Sequence, residues 1–232
     1  MDSRGFIDRA DAGRRLAALL RAYARGSETI VLALPRGGVP TAYEIAARLQ
    51  VPLDILAVRK LGLPGHEELA MGAIAADGRL VLDDALIAAA HVAQPQIAAA
   101  IARENMELQR RSRLYRDGRA ERSLRGKLVI LVDDGLATGA TMGVAIQAVR
   151  AHAPGSIVVA VPVGSREACD AIESVADRLV CVLKPEPFGA VGRYYADFSQ
   201  IGDDDVCRLL ANAARFVSKF SSRGYRGARL DS

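Results

Sequence analysis

Residues 129–141, VILVDDGLATGAT, join an apolar run, an acid pair and a small polar loop. The four apolar residues, three of them β-branched, predict a buried strand that ends at Asp133 and Asp134. Glycine, alanine and threonine follow as far as Thr141, and helical spacing begins near Met142. Backbone N–H groups at the start of a helix lack acceptors and carry partial positive charge. A strand, a loop and a helix in this order therefore predict a phosphate site.

The acid pair indicates what else the ligand contains. Two carboxylates would repel a lone phosphate, but carboxylate oxygens accept hydrogen bonds from the hydroxyls of a sugar diol. Phosphate on the loop and hydroxyls on Asp133 and Asp134 describe a ribose 5-phosphate. The stretch has neither the lysine of a mononucleotide loop nor the glycine spacing of a dinucleotide fingerprint. The alternative is a solvated strand-to-helix turn in which the acid pair arose by chance.

Composition limits the class of protein. The chain has 232 residues, of which 50% are hydrophobic and 25% charged, as expected for one α/β domain with an insertion. No apolar run approaches the ~20 residues needed to cross a bilayer, and the charged N-terminal stretch lacks the apolar core of a signal peptide. We therefore expect a cytoplasmic protein without membrane association. The three cysteines are widely spaced and predict neither a disulfide framework nor a zinc site.

A net charge of +4 would permit nucleic-acid binding. However, arginine is scattered through helical segments without a recognition motif, so we expect no specific nucleic acid as a partner. An anionic small-molecule substrate accounts for the charge equally well.

Apolar runs alternate with helical patterns along the chain and predict a mostly parallel central sheet flanked by helices. Ligands of such sheets bind at the carboxyl ends of the strands, where each polar motif of this chain lies. The predicted strands are residues 29–34, 53–58, 129–132, 156–163 and 178–183, and the predicted helices are residues 8–25, 40–49, 142–149, 166–175 and 203–216.

Other segments depart from this alternation. Residues 73–76 and 80–82 predict a β-hairpin that turns at Asp77-Gly78. A helical insertion follows, with Pro95 beginning its second helix. The predicted organisation is one domain over residues 1–217, which contains the insertion at 84–125 and a hood at 184–202, followed by a disordered tail at 218–232. An arginine cluster in the insertion is interpreted as a solvated helix face, with phosphate or partner contacts as the alternative: Arg110, Arg111, Arg113, Arg116 and Arg119.

Two cationic motifs follow the first two strands. Arg36-Gly37-Gly38 can hold a pyrophosphate with backbone N–H groups and a guanidinium, although the same residues would also suit an ordinary glycine-rich turn. Arg59 and Lys60 precede residues 61–69, which contain two glycines and a proline and predict a mobile loop. The loop's titratable candidates for acid–base catalysis are His66, Glu67 and Glu68.

These motifs together resemble the type I phosphoribosyltransferase family. Residues 129–141 fill every position of the family's motif for phosphoribosyl pyrophosphate (PRPP): four apolar residues, two acids, two variable residues and x-T-G-x-T. Arg36-Gly37-Gly38 resembles the pyrophosphate loop, which often holds a non-proline cis peptide, here implied at Arg36–Gly37. Arg59 and Lys60 match the position of the flexible catalytic loop. Residues 188–198, FGAVGRYYADF, resemble a late segment of hypoxanthine-guanine-type enzymes.

The resemblance implies an Mg²⁺-dependent transfer of ribose 5-phosphate from PRPP to a nitrogen nucleophile such as a nucleobase, with release of pyrophosphate. It implies catalytic roles for Asp133, Asp134, Arg59 and Lys60, and a metal site formed by Asp133, Asp134 and Asp197. Phe188 would stack on the base, while Tyr194, Tyr195 and Phe198 could equally be aromatic core. The implied substrate-binding residues are Arg36, Gly37, Gly38, Gly135, Leu136, Ala137, Thr138, Gly139, Ala140, Thr141 and Phe188.

One position departs from part of the family. The 6-oxopurine enzymes place an acid where this chain has Ala137, whereas members that act on adenine also carry alanine there. Adenine-like, 6-oxopurine and pyrimidine acceptors all remain open, and the general acid or base is unassigned. We expect a homodimer. The alternative function is a non-catalytic sensor of PRPP or nucleotides on the same fold, although the retained Arg59-Lys60 pair and pyrophosphate loop favour the enzyme.

Overall fold

The computed structural model describes residues 5–24, 28–76, 78–116 and 122–216, apart from the side chains of Glu67 and Glu68. The strands are β1 Thr29–Ala33, β2 Leu53–Ile55, β3 Val58–Leu63, β4 His66–Ala75, β5 Leu80–Leu82, β6 Leu128–Val132, β7 Ser156–Val163 and β8 Arg178–Leu183. The helices are α1 Arg9–Leu19, α2 Gly38–Leu49, α3 Asp84–Ala89, α4 Gln94–Arg116, α5 Ala140–Arg150, α6 Arg166–Glu173 and α7 Asp203–Ala213.

Five strands form a central parallel sheet in the order β2-β1-β6-β7-β8. Helices cover both faces because alternate residues of each strand are apolar on either side. Val31 and Ile130 pack with α1, α2 and α7 on one face. Ile30 and Val129 pack with α5 and α6 on the other. Each fully buried side chain of this size stabilises the fold by about 1.5–3 kcal/mol. The predicted α/β class with a mostly parallel sheet is confirmed.

The predicted second strand, residues 53–58, is wrong in extent. Strand β2 pairs with β1 only as far as Ile55, and β3 begins at Val58 in a separate sheet. The residues between them make one contact with each sheet, since Leu56 N donates to Ala33 O at 2.9 Å and Ala57 O accepts from Ala76 N at 3.1 Å. One mostly apolar stretch therefore contributes strands to two sheets, and its pattern alone does not show where the chain leaves the first sheet for the second.

The predicted loop at residues 61–69 is wrong as secondary structure, and its mobility stays a prediction. These residues form the turn end of an antiparallel hairpin in which β3 pairs with β4, with a turn around Gly65 at φ 82°. Leu61 and Leu63 are buried beneath it. Strand β5 then pairs with β4 to complete a three-stranded sheet, so the predicted hairpin at 73–76 and 80–82 is confirmed, while Asp77 of its turn lies outside the described residues.

The insertion contains the two predicted helices, α3 and α4. Asp83 caps α3 by accepting a hydrogen bond from Leu86 N. The long helix α4 buries Ile97, Ala100, Leu108 and Tyr115. It packs against β3, β4 and α7, so the insertion docks on the second sheet and on the last helix. Arg119 and the tail at 218–232 lie outside the described residues.

The predicted first helix is longer than the observed one. Helix α1 ends at Leu19, and a 3₁₀ turn at Arg21–Tyr23 follows it. Within the described ranges, no helix is both long and apolar enough to cross a membrane.

Candidate active site

The loops that follow β1 and β6 meet at the carboxyl edge of the central sheet. Leu34 N donates to Val132 O over 2.9 Å, which continues the pairing of the two strands into their loops. A Cβ on Gly37 would overlap Asp134 Oδ2 and lie 2.7 Å from its Cγ, and a Cβ on Gly38 would lie 2.6 Å from Val132 O. Only glycine permits this approach, so the structure brings the predicted pyrophosphate loop directly against the acid pair.

The cis peptide of this loop lies one residue earlier than the resemblance implied. The bond between Pro35 and Arg36 is cis, not the bond between Arg36 and Gly37. The sequence motif locates the loop, but it does not fix which of its bonds takes the cis form.

The two acids are held differently. Asp133 Oδ1 accepts a hydrogen bond from Asp134 N at 2.8 Å. Asp134 Oδ2 accepts from Arg9 Nε at 2.8 Å. Burial, and then the neighbouring charge of Asp134, raises the pKa of Asp133 well above that of an ordinary carboxyl group. Within the described part of the chain, no donor reaches Asp133 Oδ2 or Asp134 Oδ1, so one oxygen of each acid remains open to accept a hydroxyl.

Sequence reasoning missed Arg9. The residue is 8% exposed, and its guanidinium pairs with Asp134 and donates from Nη1 to Ser199 O at 2.9 Å. It also lies over the Phe198 ring, 3.8 Å from the centroid. Arg9 therefore joins the acid pair to the segment after β8. No local pattern distinguishes this arginine from the others in α1, because its partner Asp134 is 125 residues away.

The loop from Gly135 to Thr141 is shaped by the neighbouring strand β7. Leu136 forms an isolated parallel β-bridge with Gly164, just beyond the end of β7. Ser165 Oγ donates a hydrogen bond to Ala137 O at 2.8 Å. Gly139 takes a left-handed conformation at φ 76° and begins α5. Ala137, Thr138 and Thr141 are exposed, and the first turn of α5 presents its N–H groups beside them. This is the geometry that an incoming phosphate requires.

Arg59 and Lys60 lie on β3 and line a pocket of about 320 Å³. Pro35, which directly precedes the predicted pyrophosphate loop, and Thr141 at the start of α5 also line it. The structure thus brings the two cations to a pocket beside both predicted binding loops. His66 is exposed at the hairpin turn and does not line this pocket, and the side chains of Glu67 and Glu68 lie outside the described set.

The two arginines predicted for the site, Arg36 and Arg59, already have acidic neighbours. Nε and Nη2 of Arg59 lie 2.7 Å from Glu104 Oε2 on α4. Nη1 of Arg36 lies 3.8 Å from Asp203 Oδ1 at the start of α7. Sequence reasoning missed Glu104 and Asp203, since both belong to helices that carry no recognisable motif.

The hood segment packs over the loop after β6. A Cβ on Gly135 would lie 2.6 Å from Val191, so this glycine permits the two segments to touch. Phe188 is half-buried, and its ring stacks on Tyr194 with centroids 5.7 Å apart. Tyr195 is buried and donates its hydroxyl to Asp134 O at 2.6 Å. For Tyr195 the core interpretation is confirmed, while stacking of Phe188 on a base stays a prediction.

Asp197 does not join the acid pair. Its carboxylate accepts hydrogen bonds from the backbone N–H of Ser199, at 2.9 Å, and from the Ser199 hydroxyl. No group of three His, Cys, Asp or Glu side chains able to hold a metal occurs among the residues that the structure describes. The predicted three-acid metal site is therefore not assembled. Asp133 and Asp134 still suit Mg²⁺, which is commonly bound by one or two carboxylates together with substrate phosphates.

Comparison with known proteins identifies the family. Residues 7–198 match the phosphoribosyl transferase domain family, and the chain belongs to that family. A protein of Mycobacterium tuberculosis, named provisionally as a phosphoribosyl transferase, is 46% identical over 210 residues. That alignment covers 90% of this chain but 47% of the relative, so the chain spans about half the length of the curated relatives it matches. The crystal structure of TT1426 from Thermus thermophilus is 40% identical, with a TM-score of 0.82 over 90% of this chain and 98% of that chain.

Proposed function

We propose that the chain transfers ribose 5-phosphate from PRPP to a nitrogen nucleophile, with a nucleobase as the expected acceptor, and releases pyrophosphate. The observation that carries this proposal is the contact between Gly37 and the Asp134 carboxylate. Through it, a candidate pyrophosphate loop and a pair of hydroxyl acceptors share one edge of the sheet. The start of α5 lies on the same loop as the acids and supplies a phosphate site.

Each group has a role in this reaction. The 5-phosphate would bind at residues 135–141, and the open oxygens of Asp133 and Asp134 would accept the ribose hydroxyls. As the bond from ribose C1 to pyrophosphate breaks, positive charge develops on the ribose and negative charge on the leaving group. The carboxylates would stabilise the positive charge on the ribose. The Arg36 loop, Arg59 and Lys60 would stabilise the negative charge on the pyrophosphate. The reaction requires positioning and charge stabilisation, and no covalent nucleophile.

Mg²⁺ fits the same site as part of this proposal. When bound, it would neutralise pyrophosphate charge, and Asp133 and Asp134 would hold it together with substrate oxygens. Asp197 is not proposed again as a third ligand, because no group of three acids able to hold a metal is assembled among the described residues. Phe188 is proposed to stack on the base, and the homodimer and the cytoplasmic location stay predictions.

The decisive test is pyrophosphate release from PRPP and Mg²⁺ with a panel of nucleobases, run beside thermal unfolding. PRPP with Mg²⁺ is expected to raise the melting temperature, because a ligand that binds only the folded state stabilises it. The double variant Asp133→Asn and Asp134→Asn should lose most of this shift while it keeps an unliganded fold. An unchanged shift in that variant would remove the carboxylates from the site.

The same experiment separates the enzyme from a sensor on this fold. Pyrophosphate release with at least one base supports the transferase. A PRPP-dependent rise in melting temperature without release, across adenine-like, 6-oxopurine and pyrimidine acceptors, would instead favour the sensor.

A further inference from the structure

The inserted helix α4 forms one wall of the pocket that contains Arg59 and Lys60. Glu104, Leu108 and Arg111 of this helix all line the pocket. They are spaced four and three residues apart, so they lie on the same face of the helix. Leu108 is 1% exposed and anchors that face against the rest of the fold. The insertion is thus fixed in place at the site and does not merely project from the domain.

The charges of this pocket favour an anion. Its charged lining residues are three cations, Arg59, Lys60 and Arg111, and one carboxylate, Glu104. Burial opposes ionisation of Glu104, but hydrogen bonds from Arg59 and Arg103 outweigh it and lower the pKa of this carboxyl group. Glu104 is therefore ionised and paired, which makes it a poor proton acceptor and leaves a net positive lining.

Arg111 is held in a way that leaves donors available. Its Nε donates to Glu107 Oε1 at 2.6 Å. Hydrogen bonds from Arg110 and Arg111 lower the pKa of Glu107 to about 2, so this carboxylate remains ionised and holds Arg111 in place. No described residue accepts a hydrogen bond from Nη1 or Nη2 of Arg111, and its side chain is only 23% exposed. Two N–H-bearing nitrogens of a half-buried guanidinium are thus open at the pocket.

We propose that Arg111 binds the pyrophosphate group of the substrate and product, so that the inserted helix supplies a cation to the site. This inference rests on the proposed function, because it assigns the occupant of that function's pocket. Thr141, which belongs to the predicted phosphate loop at residues 135–141, and Pro35, which directly precedes Arg36-Gly37-Gly38, also line this pocket. A pyrophosphate bound there would contact the cations of β3 and Arg111. Guanidinium groups suit this role because they form paired, charge-assisted hydrogen bonds to phosphate oxygens.

Calorimetric titration of the full chain with inorganic pyrophosphate, with and without Mg²⁺, tests this assignment directly. Arg111→Gln should weaken pyrophosphate binding about 10-fold or more, since one charge-assisted hydrogen bond contributes ~1.5–3 kcal/mol. Arg111→Lys, which keeps the charge but loses the paired geometry, should fall between Arg111→Gln and the unaltered chain. The matched control is Arg113→Gln, which removes an exposed arginine of the same helix that does not line the pocket and should bind within about twofold of the unaltered chain.

The outcomes distinguish this inference from the proposed function. Equal weakening by Arg111→Gln and Arg113→Gln, or by neither, overturns the role of Arg111. If Arg111→Gln leaves pyrophosphate affinity unchanged while PRPP still stabilises the fold and pyrophosphate is released, only the inference fails. If pyrophosphate binding depends on Arg111 but PRPP neither stabilises the chain nor reacts, the transferase proposal fails and the anion site stands. Absence of any pyrophosphate binding by the unaltered chain overturns the inference outright.

Discussion

The acid pair depends on an arginine outside its own motif. Arg9 pairs with one carboxylate at 2.8 Å and is itself fixed by Ser199 O and by the Phe198 ring. Two adjacent carboxylates in a half-buried loop repel each other, and this repulsion contributes to the raised pKa of Asp133. Arg9 offsets part of that repulsion and orients Asp134. The site therefore needs α1 as well as the two strand ends.

The contact between Gly37 and Asp134 gives a prediction about steric fit. Gly37→Ala places a methyl group against the carboxylate, so we expect the unfolding free energy to fall by about 1–3 kcal/mol. The variant should also lose most of the PRPP-induced rise in melting temperature. Gly143→Ala is the matched control, because a Cβ there meets nothing within 4 Å. In the helix interior this change should stabilise the fold by about 0.5–1 kcal/mol and leave the PRPP response intact. Thermal unfolding with and without PRPP measures the stability and the PRPP-induced shift of each variant. Equal shifts in Gly37→Ala and Gly143→Ala would contradict the close approach of the two loops.

Residues inside local motifs could be predicted from the sequence, whereas their distant partners could not. Asp133, Asp134 and residues 135–141 were located because strand, acid and loop signals are consecutive. Arg9, Glu104 and Asp203 contact predicted site residues only after the chain has folded. The structure does not group Asp197 with the acid pair among the described residues, because the position of a residue along the chain does not fix which side chains it meets.

Among the elements, the five central strands could be predicted because each is a short apolar run between turn signals. The hairpin of β3 and β4 could not, because Gly62, Pro64 and Gly65 are usual features of a loop. In the structure Gly65 forms the turn, and the register shifts on both sides of Gly62 absorb the irregularity. Arg59 and Lys60 therefore lie on a paired strand instead of at the base of a free loop.

The attachment of α4 to α7 gives a pH-dependent prediction. Tyr115 is 1% exposed and donates its hydroxyl to Asp203 Oδ1 at the start of α7. This hydrogen bond is the main cause of the lowered pKa of Asp203, an acid whose usual pKa is 3.8. A carboxyl group with a lowered pKa stabilises the folded state above its unfolded pKa, and this contribution is lost as the pH falls through the folded value. Tyr115→Phe should therefore cost about 1–2 kcal/mol near pH 7, and the loss should shrink below about pH 4.

Urea unfolding at several pH values measures this difference. Tyr43→Phe is the control, since its hydroxyl has no partner among the described residues and its ring packs on Phe216. Its effect should stay within about 0.5 kcal/mol and should not change with pH. Absence of a cost for Tyr115→Phe would mean that packing of the ring, and not the bond to Asp203, holds the two helices together. A cost that does not change with pH would mean that the hydroxyl acts other than through the charge of Asp203.

At the scale of the whole molecule, the candidate site is built from two sheets and an insertion. The central sheet supplies the acid pair and the two binding loops, and the three-stranded sheet supplies Arg59 and Lys60. Helix α4 connects them through the ion pair between Arg59 and Glu104. Fold class could be predicted from alternating strands and helices, but this arrangement depends on how the second sheet docks, which no local pattern encodes.

Hydrogen exchange tests whether residues 58–61 form a stable paired strand or part of a loop that closes over the ligand. Because residues 58–61 pair with residues 72–75 across the hairpin, those of their amides that bond to β4 should already exchange slowly without ligand. Binding of PRPP with Mg²⁺ should add protection at residues 135–142, where the open N–H groups at the start of α5 would bond to phosphate. The central strand β7, at residues 156–163, serves as the internal control and should not change. Fast exchange at residues 58–61 that slows only with ligand would support a mobile catalytic loop. Unchanged exchange at residues 135–142 would mean that the phosphate binds elsewhere.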